Sequence, residues 1–113
     1  MDNNKTQLYS PPYYAVIFVS QRTQNDHGYD EMAQRMLQLA QQQPGFLGVD
    51  SARNSLQGIT VSYWKNEQAI AAWKQQIEHQ QAQAKGRELW YEHYQVHVSK
   101  VERYYEFETK IDE

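Results

Sequence analysis

The chain has 113 residues, carries a net charge of −3 and contains no cysteine. Its length suits one domain that buries roughly 65% of the surface exposed on unfolding, enough for a core without disulfides or metal. The missing cysteine excludes a disulfide scaffold and a thiol nucleophile and fits a reducing compartment, while the acidic balance gives no support to a broad nucleic-acid surface.

Residues 1–12 form a polar lead-in that ends in Pro11-Pro12, which cannot join a hydrogen-bonded ladder and favours an extended arm. The first thirty residues lack a basic segment followed by an apolar one, so no signal peptide is expected. A strand is predicted from Tyr13 to Ser20, apolar on both faces: Tyr13, Ala15, Ile17 and Val19 on one, Tyr14, Val16 and Phe18 on the other. A strand of that kind is buried on both sides. Its longest apolar run, Ala15 to Val19, is far below the roughly 20 residues that span a bilayer, so no membrane partner is expected and the location is read as cytoplasmic.

Residues 21–28 read as a polar loop, with Asp26 placed to cap a helix from about Tyr29 to Gln42. Tyr29, Met32, Ala33, Met36, Leu39 and Ala40 make one apolar stripe at helical spacing. Pro44-Gly45 ends that helix, and Phe46–Arg53 and Ile59–Trp64 follow as strands. The five residues between them, NSLQG, suit a hairpin loop, so the pair is antiparallel. Asn66 is a good cap for a second helix, whose inner stripe is Ala69, Ile70, Trp73, Ile77 and Ala84, with Gly86 as the stop. Glutamines cluster at 41–43, 75–76 and 80–83 inside these helical patterns and read as solvated helix surface. The last segment, about Tyr94 to Phe107, is β-rich, and its alternation slips near Ser99-Lys100, which suggests a bulge.

The order is β-α-β-β-α-β. This is an α+β, ferredoxin-like arrangement, a four-stranded antiparallel sheet with two helices on one face. The helices cover only that face, whereas the first strand is apolar on both. A second copy of the chain is the simplest cover for the other, so a homodimer is expected.

Three stretches then suggest a family. Gln43-Pro44-Gly45-Phe46-Leu47-Gly48 leads into the second strand, and Ile59-Thr60-Val61-Ser62-Tyr63-Trp64-Lys65 forms the third. Glu67-Gln68-Ala69-Ile70-Ala71-Ala72-Trp73 opens the second helix, followed by Glu78-His79 and Gly86. The PGFLG turn, combined with Trp64 at a strand end and Trp73 nine residues on, resembles the antibiotic biosynthesis monooxygenase domain family over residues 13–107. Residues 1–12 then form an N-terminal arm and 108–113 a C-terminal tail. The resemblance implies a dimeric α+β barrel. It also implies an oxygenase chemistry, since one branch of the family oxidises aromatic polyketides without metal or flavin and another binds and degrades heme.

Carried over to this sequence, the resemblance makes Trp73 a wall of a substrate pocket, weighed against a plain core aromatic. The heme-degrading branch has a His about three turns along the same helix and an Asn on the first strand. Here those places hold Gln83 and the run Ser20-Gln21-Arg22, and glutamine is a poor ligand for heme iron. His79 lies six residues after Trp73, about 120° around the helix, and suits general acid or base work. The site expected is therefore His79 as base, Trp73 as wall and Gln83 as hydrogen-bond donor, with Trp64, Tyr94 and Arg22 contacting substrate. The expected substrate is a small aromatic or polyketide-like molecule that reacts with dioxygen. No cofactor is expected; the alternatives are heme bound or degraded through a shifted ligand, His79, and a non-catalytic dimeric binding domain.

His93 and His97 have metal-pair spacing only on a helix. The alternation of Tyr94, Val96 and Val98 places them on a strand, about 13 Å apart at roughly 3.3 Å per residue, so no metal site is expected. Trp90, Tyr91, Tyr104 and Tyr105 read as barrel and dimer packing. Arg22 and Arg53 sit at strand ends, where they can meet an anion or form surface ion pairs. No dinucleotide, P-loop, GxSxG or HExxH signature occurs.

Overall fold

The computed structural model describes residues 9–23, 29–84 and 91–109, without the side chains of 78–84 and Tyr91. The elements run β1 (Tyr13–Arg22), α1 (Tyr29–Gln41), β2 (Phe46–Arg53), β3 (Gln57–Trp64), α2 (Glu67–Ala84) and β4 (Tyr91–Val101). The four strands form one sheet in the order β2-β3-β1-β4, with every neighbouring pair antiparallel. This is the β-α-β-β-α-β arrangement that the pattern of residues implies. No described helix is long and apolar enough to cross a membrane.

Local chemistry explains the joints. Past the end of α1, Gln42 and Gln43 donate their N–H groups to the carbonyls of Leu39 and Ala40. Gly45 then turns the chain with φ near +88°, and a Cβ there would stand 2.7 Å from that of Ala69. Only glycine meets both demands without strain. The N–H of Lys65 closes the joint by donating to the Gly45 carbonyl. At the start of α2, the Asn66 side chain accepts the Ala69 N–H at 2.8 Å, an N-cap of the kind its residue type favours. The β2–β3 hairpin is shorter than the five residues expected. Asn54 Oδ1 accepts the N–H groups of both Leu56 and Gln57, so Gln57 and Gly58 already belong to β3.

The last strand begins at Tyr91 rather than about Tyr94 and departs from expectation in two further ways. Its ladder with β1 runs without a break through Ser99 and Lys100, and the irregularity falls at the other end, beside Gln21 and Arg22. It also stops at Val101 rather than Phe107, because Val101 pairs with Tyr13. Immediately before Tyr13 stand Pro11 and Pro12, which have no N–H to offer. Residues 102–109 consequently have no ladder partner among the described residues, and Tyr105 and Phe107 are 89% and 86% exposed.

Paired residues project to the same side of a sheet, so the registers sort the two faces. Val16, Trp64 and Phe46 meet the helices, where Ala40, Trp64 and Trp73 form a core flanked by Leu39, Ala69, Ile70 and Ile77. On the far face, the ring of Tyr9 packs against those of Tyr13 and Tyr63 at 5.3 and 5.7 Å. The end of the N-terminal arm thus lies on the sheet. Tyr63 donates a 2.9 Å hydrogen bond to Asp50. Burial, together with that bond and charge, pushes the Tyr63 phenol up to about 12. Tyr9 is also raised, by burial first and then by the Asp50 charge.

Candidate functional site

The helix-facing side of the sheet is a grid of four rows, read across β2, β3, β1 and β4. At one end stand Phe46, Trp64, Tyr14 and Lys100, followed by Val49, Ser62, Val16 and Val98. Next come Ser51, Thr60, Phe18 and Val96, and finally Arg53, Gly58, Ser20 and Tyr94. The grid therefore passes from an aromatic corner to a polar one.

The aromatic corner is closed. Trp64 is fully buried, and its ring lies 6.1 Å from that of Trp73 at an interplanar angle of 25°. Phe46 meets Trp64 edge-on at 5.3 Å. The one polar atom of the Trp64 side chain, Nε1, donates to Ser62 Oγ at 2.8 Å. Trp73 is also buried, 8% exposed.

The polar corner is built differently. The Arg22 guanidinium sits 3.9 Å from the centre of the Tyr29 ring, and that of Arg53 sits 5.2 Å from it. Arg53 Nη1 also donates to Tyr29 Oη at 3.0 Å. Two cations thus share one phenol, each drawn to the negative face or oxygen of the ring. Gly58 makes the geometry of Arg53 feasible, since a Cβ there would come within 2.8 Å of Nη1. Ser20 lies in the same row at 2% exposure, and Arg22 Nε is buried without a hydrogen-bond partner. Beside this corner, Tyr29, Ala33, Leu37, Val49, Ser51 and Thr60 line a cleft of about 370 Å³ between α1 and the sheet. Arg53 and Asp30 stand on its wall.

The residues expected to act together fall into two groups. Trp64 and Trp73 belong to the closed corner. Tyr94, whose ring meets Phe18 at 5.3 Å, and Arg22 belong to the polar one. Trp64 and Tyr94 are six residues apart along the strands, about 20 Å at roughly 3.3 Å per residue. His79 and Gln83 lie on α2, but their side chains are outside the described residues, as are Asp26, Gly86 and Trp90. Of the two histidines with metal-pair spacing, His97 pairs with Ile17 and His93 with Gln21, so both lie on the far face. Reading the sequence missed Tyr29, Gly58 and Ser20 as parts of a polar cluster. Gly58 alone left a usable signal, since a glycine inside a strand often marks a close approach.

Comparison with known proteins adds to this picture. The family model for antibiotic biosynthesis monooxygenase matches residues 12–85, more than half of the chain. The chain belongs to that family. Within it, a Bacillus subtilis (strain 168) relative, the uncharacterized protein YqjZ, is 57% identical over 94 residues, which cover 82% of each chain. Among solved structures, SnoaB of Streptomyces nogalater, described as a cofactor-independent oxygenase, superposes with a TM-score of 0.68 at 11% identity. That match covers 82% of this chain and 96% of SnoaB. PA3566 of Pseudomonas aeruginosa superposes with a TM-score of 0.65 at 13% identity, covering 86% of this chain and 99% of the other. Identities this low establish the shared ferredoxin-like fold and leave the chemistry to the site.

Proposed function

We propose that the chain is an oxygenase working without a resident cofactor, on a small aromatic or polyketide-like substrate held between helices and sheet. The observation that carries this reading is an uncovered apolar strip on the helix-facing side. Val96 and Val98 are 51% and 53% exposed there, in the rows of Phe18 and Val16. Such a strip can take the body of an aromatic molecule, with Trp73 as a wall and Tyr94 and Arg22 as orienting groups. Trp64 backs the wall from beneath.

In this reading His79 removes a proton from an electron-rich phenolic substrate. The resulting anion reduces dioxygen directly, one oxygen atom entering the substrate and the other leaving as water while the substrate supplies the electrons. Gln83 donates a hydrogen bond to the developing oxyanion. Family membership and the likeness to SnoaB support the reading. The test is oxygen uptake across a panel of phenols and hydroquinones. Turnover that falls at least about a hundredfold in His79→Ala, the scale of a lost general base, supports the assignment. Turnover unchanged when both His79 and Trp73 are replaced overturns it.

Heme binding ranks below this, because at Gln83 the chain offers an amide where heme iron needs an imidazole, thiolate, phenolate or thioether. A hemin titration with no saturable Soret shift removes it. One observation favours a non-catalytic domain instead: Trp64 and Trp73 fill the closed corner with the protein's own side chains.

The same proposal includes a homodimer joined through the far face. Ile17, Val19 and Val61 are only half-buried on that side, and Ile59 is 44% exposed. Chromatography with light scattering tests it, with Ile59→Lys expected to weaken the pair by placing a charge in its centre.

A further inference from the structure

We infer that the Arg22–Tyr29–Arg53 corner is an anion subsite, so that the molecule bound on the helix-facing side carries a carboxylate beside its apolar body. This deepens the substrate reading above and rests on it for the apolar part of the ligand. Four observations converge. The two guanidinium carbons lie 3.9 and 5.2 Å from one ring centre, which places them within about 9 Å of each other. Among the described residues neither has a carboxylate partner, although Asp30 stands on the same cleft. Arg22 also keeps a buried Nε–H with no acceptor. Finally, a cleft of about 370 Å³ opens at Arg53, within the size range of small-molecule pockets.

Each feature has a physical reading that points to a ligand. Two like charges brought this close repel, and the shared phenol offsets that only in part; an anion between them would turn the repulsion into attraction. A buried donor without an acceptor is uncommon, and a ligand oxygen brought to Arg22 would supply the missing acceptor. Guanidinium is the cation best shaped for a carboxylate, because its planar fork matches two oxygens at once. Gly58 leaves room for this arrangement, since a Cβ there would stand 2.8 Å from Arg53 Nη1 and make the guanidinium shift. The apolar body would lie on the exposed Val96 and Val98, and Ala33, Leu37 and Val49 line the cleft on the Arg53 side of the anion.

The experiment compares two probes that differ in the anion alone, 1-hydroxy-2-naphthoate and 1-naphthol, by calorimetric titration of the whole chain. The naphthoate is expected to bind about tenfold more tightly or better, the scale of a hydrogen bond to a charged group. Arg53→Gln should erase that preference while leaving 1-naphthol binding as it was, Arg22→Gln should erase it too, and Arg53→Lys should keep part of it. Gly58→Ala keeps both charges but crowds Nη1, and should lower the preference if the placement of Arg53 matters. This variant also serves where Arg22→Gln disturbs folding. Equal binding of the two probes, or a preference that survives both charge removals, overturns the anion subsite and leaves the aromatic enclosure standing. If neither probe binds, the anion subsite and the enclosure fall together.

Discussion

The two corners of the helix-facing grid use aromatic side chains for opposite purposes. In the closed corner Phe46 and Trp73 pack on Trp64, and the Trp64 indole N–H donates to Ser62. In the polar corner Tyr29 is packed by two cations, and a buried N–H is left without a partner. The first arrangement follows the rule for a core: exclude water and pair every polar atom. The second breaks that rule, and such breaks concentrate where a protein handles something other than itself. Corners only six residues apart along the strands can therefore hold a stability element at one end and a recognition element at the other.

That contrast is sharpest in Trp64→Ala. Removing a fully buried indole should cost about 3–5 kcal/mol in denaturant titrations, the usual range for a large aromatic taken out of a core. A loss below about 1 kcal/mol would mean that the closed corner is not the core of this domain. A smaller effect is expected from Gly45→Ala. The new methyl meets Ala69 at 2.7 Å in a backbone conformation with φ near +88°, so a destabilisation of about 1–3 kcal/mol follows from overpacking and strain.

The far face supplies a pH-dependent test. The Tyr63 phenol is raised in the folded chain from 10.0 to about 12, so the folded state holds this proton after the unfolded state has released it. Its contribution to stability is thus complete below pH 10 and is lost as pH rises towards 12. Tyr63→Phe should flatten the fall in melting temperature across that window. An unchanged slope would show that burial and the Asp50 contact do not raise this phenol in solution.

At the polar corner the expected change in stability is the smallest. Arg53 is an exposed side chain, so Arg53→Gln should stay within about 0.5 kcal/mol of the parent while changing which ligands bind. A large loss of stability there would erase the distinction between the corners and make the arginine pair structural.

Much of the architecture is legible from local pattern. The two-sided apolar run of β1, the Pro44-Gly45 stop and the Asn66 cap each depend on residues close in sequence, and each is found where the pattern puts it. The end of β4 is not local. Its residues favour a strand well beyond Val101, yet a strand lasts only as long as its partner, and the prolines before Tyr13 end the partner. The candidate site is less legible still. Trp64, Trp73, Tyr94 and Arg22 stand out by residue type, but type does not say that the first two lie at one end of the sheet and the last two at the other.

Taken alone, the order of residues determines the sequence of elements, the caps and turns between them, and the presence of two apolar faces on the central strand. Short-range sterics and the period of side-chain direction settle these features, and both act within a few residues. Only the tertiary structure decides that Arg22, Tyr29 and Arg53 meet. They come from the end of one strand, the start of a helix and the end of another strand. Pairing across β3, with a glycine at the crossing point, brings them within reach of one another.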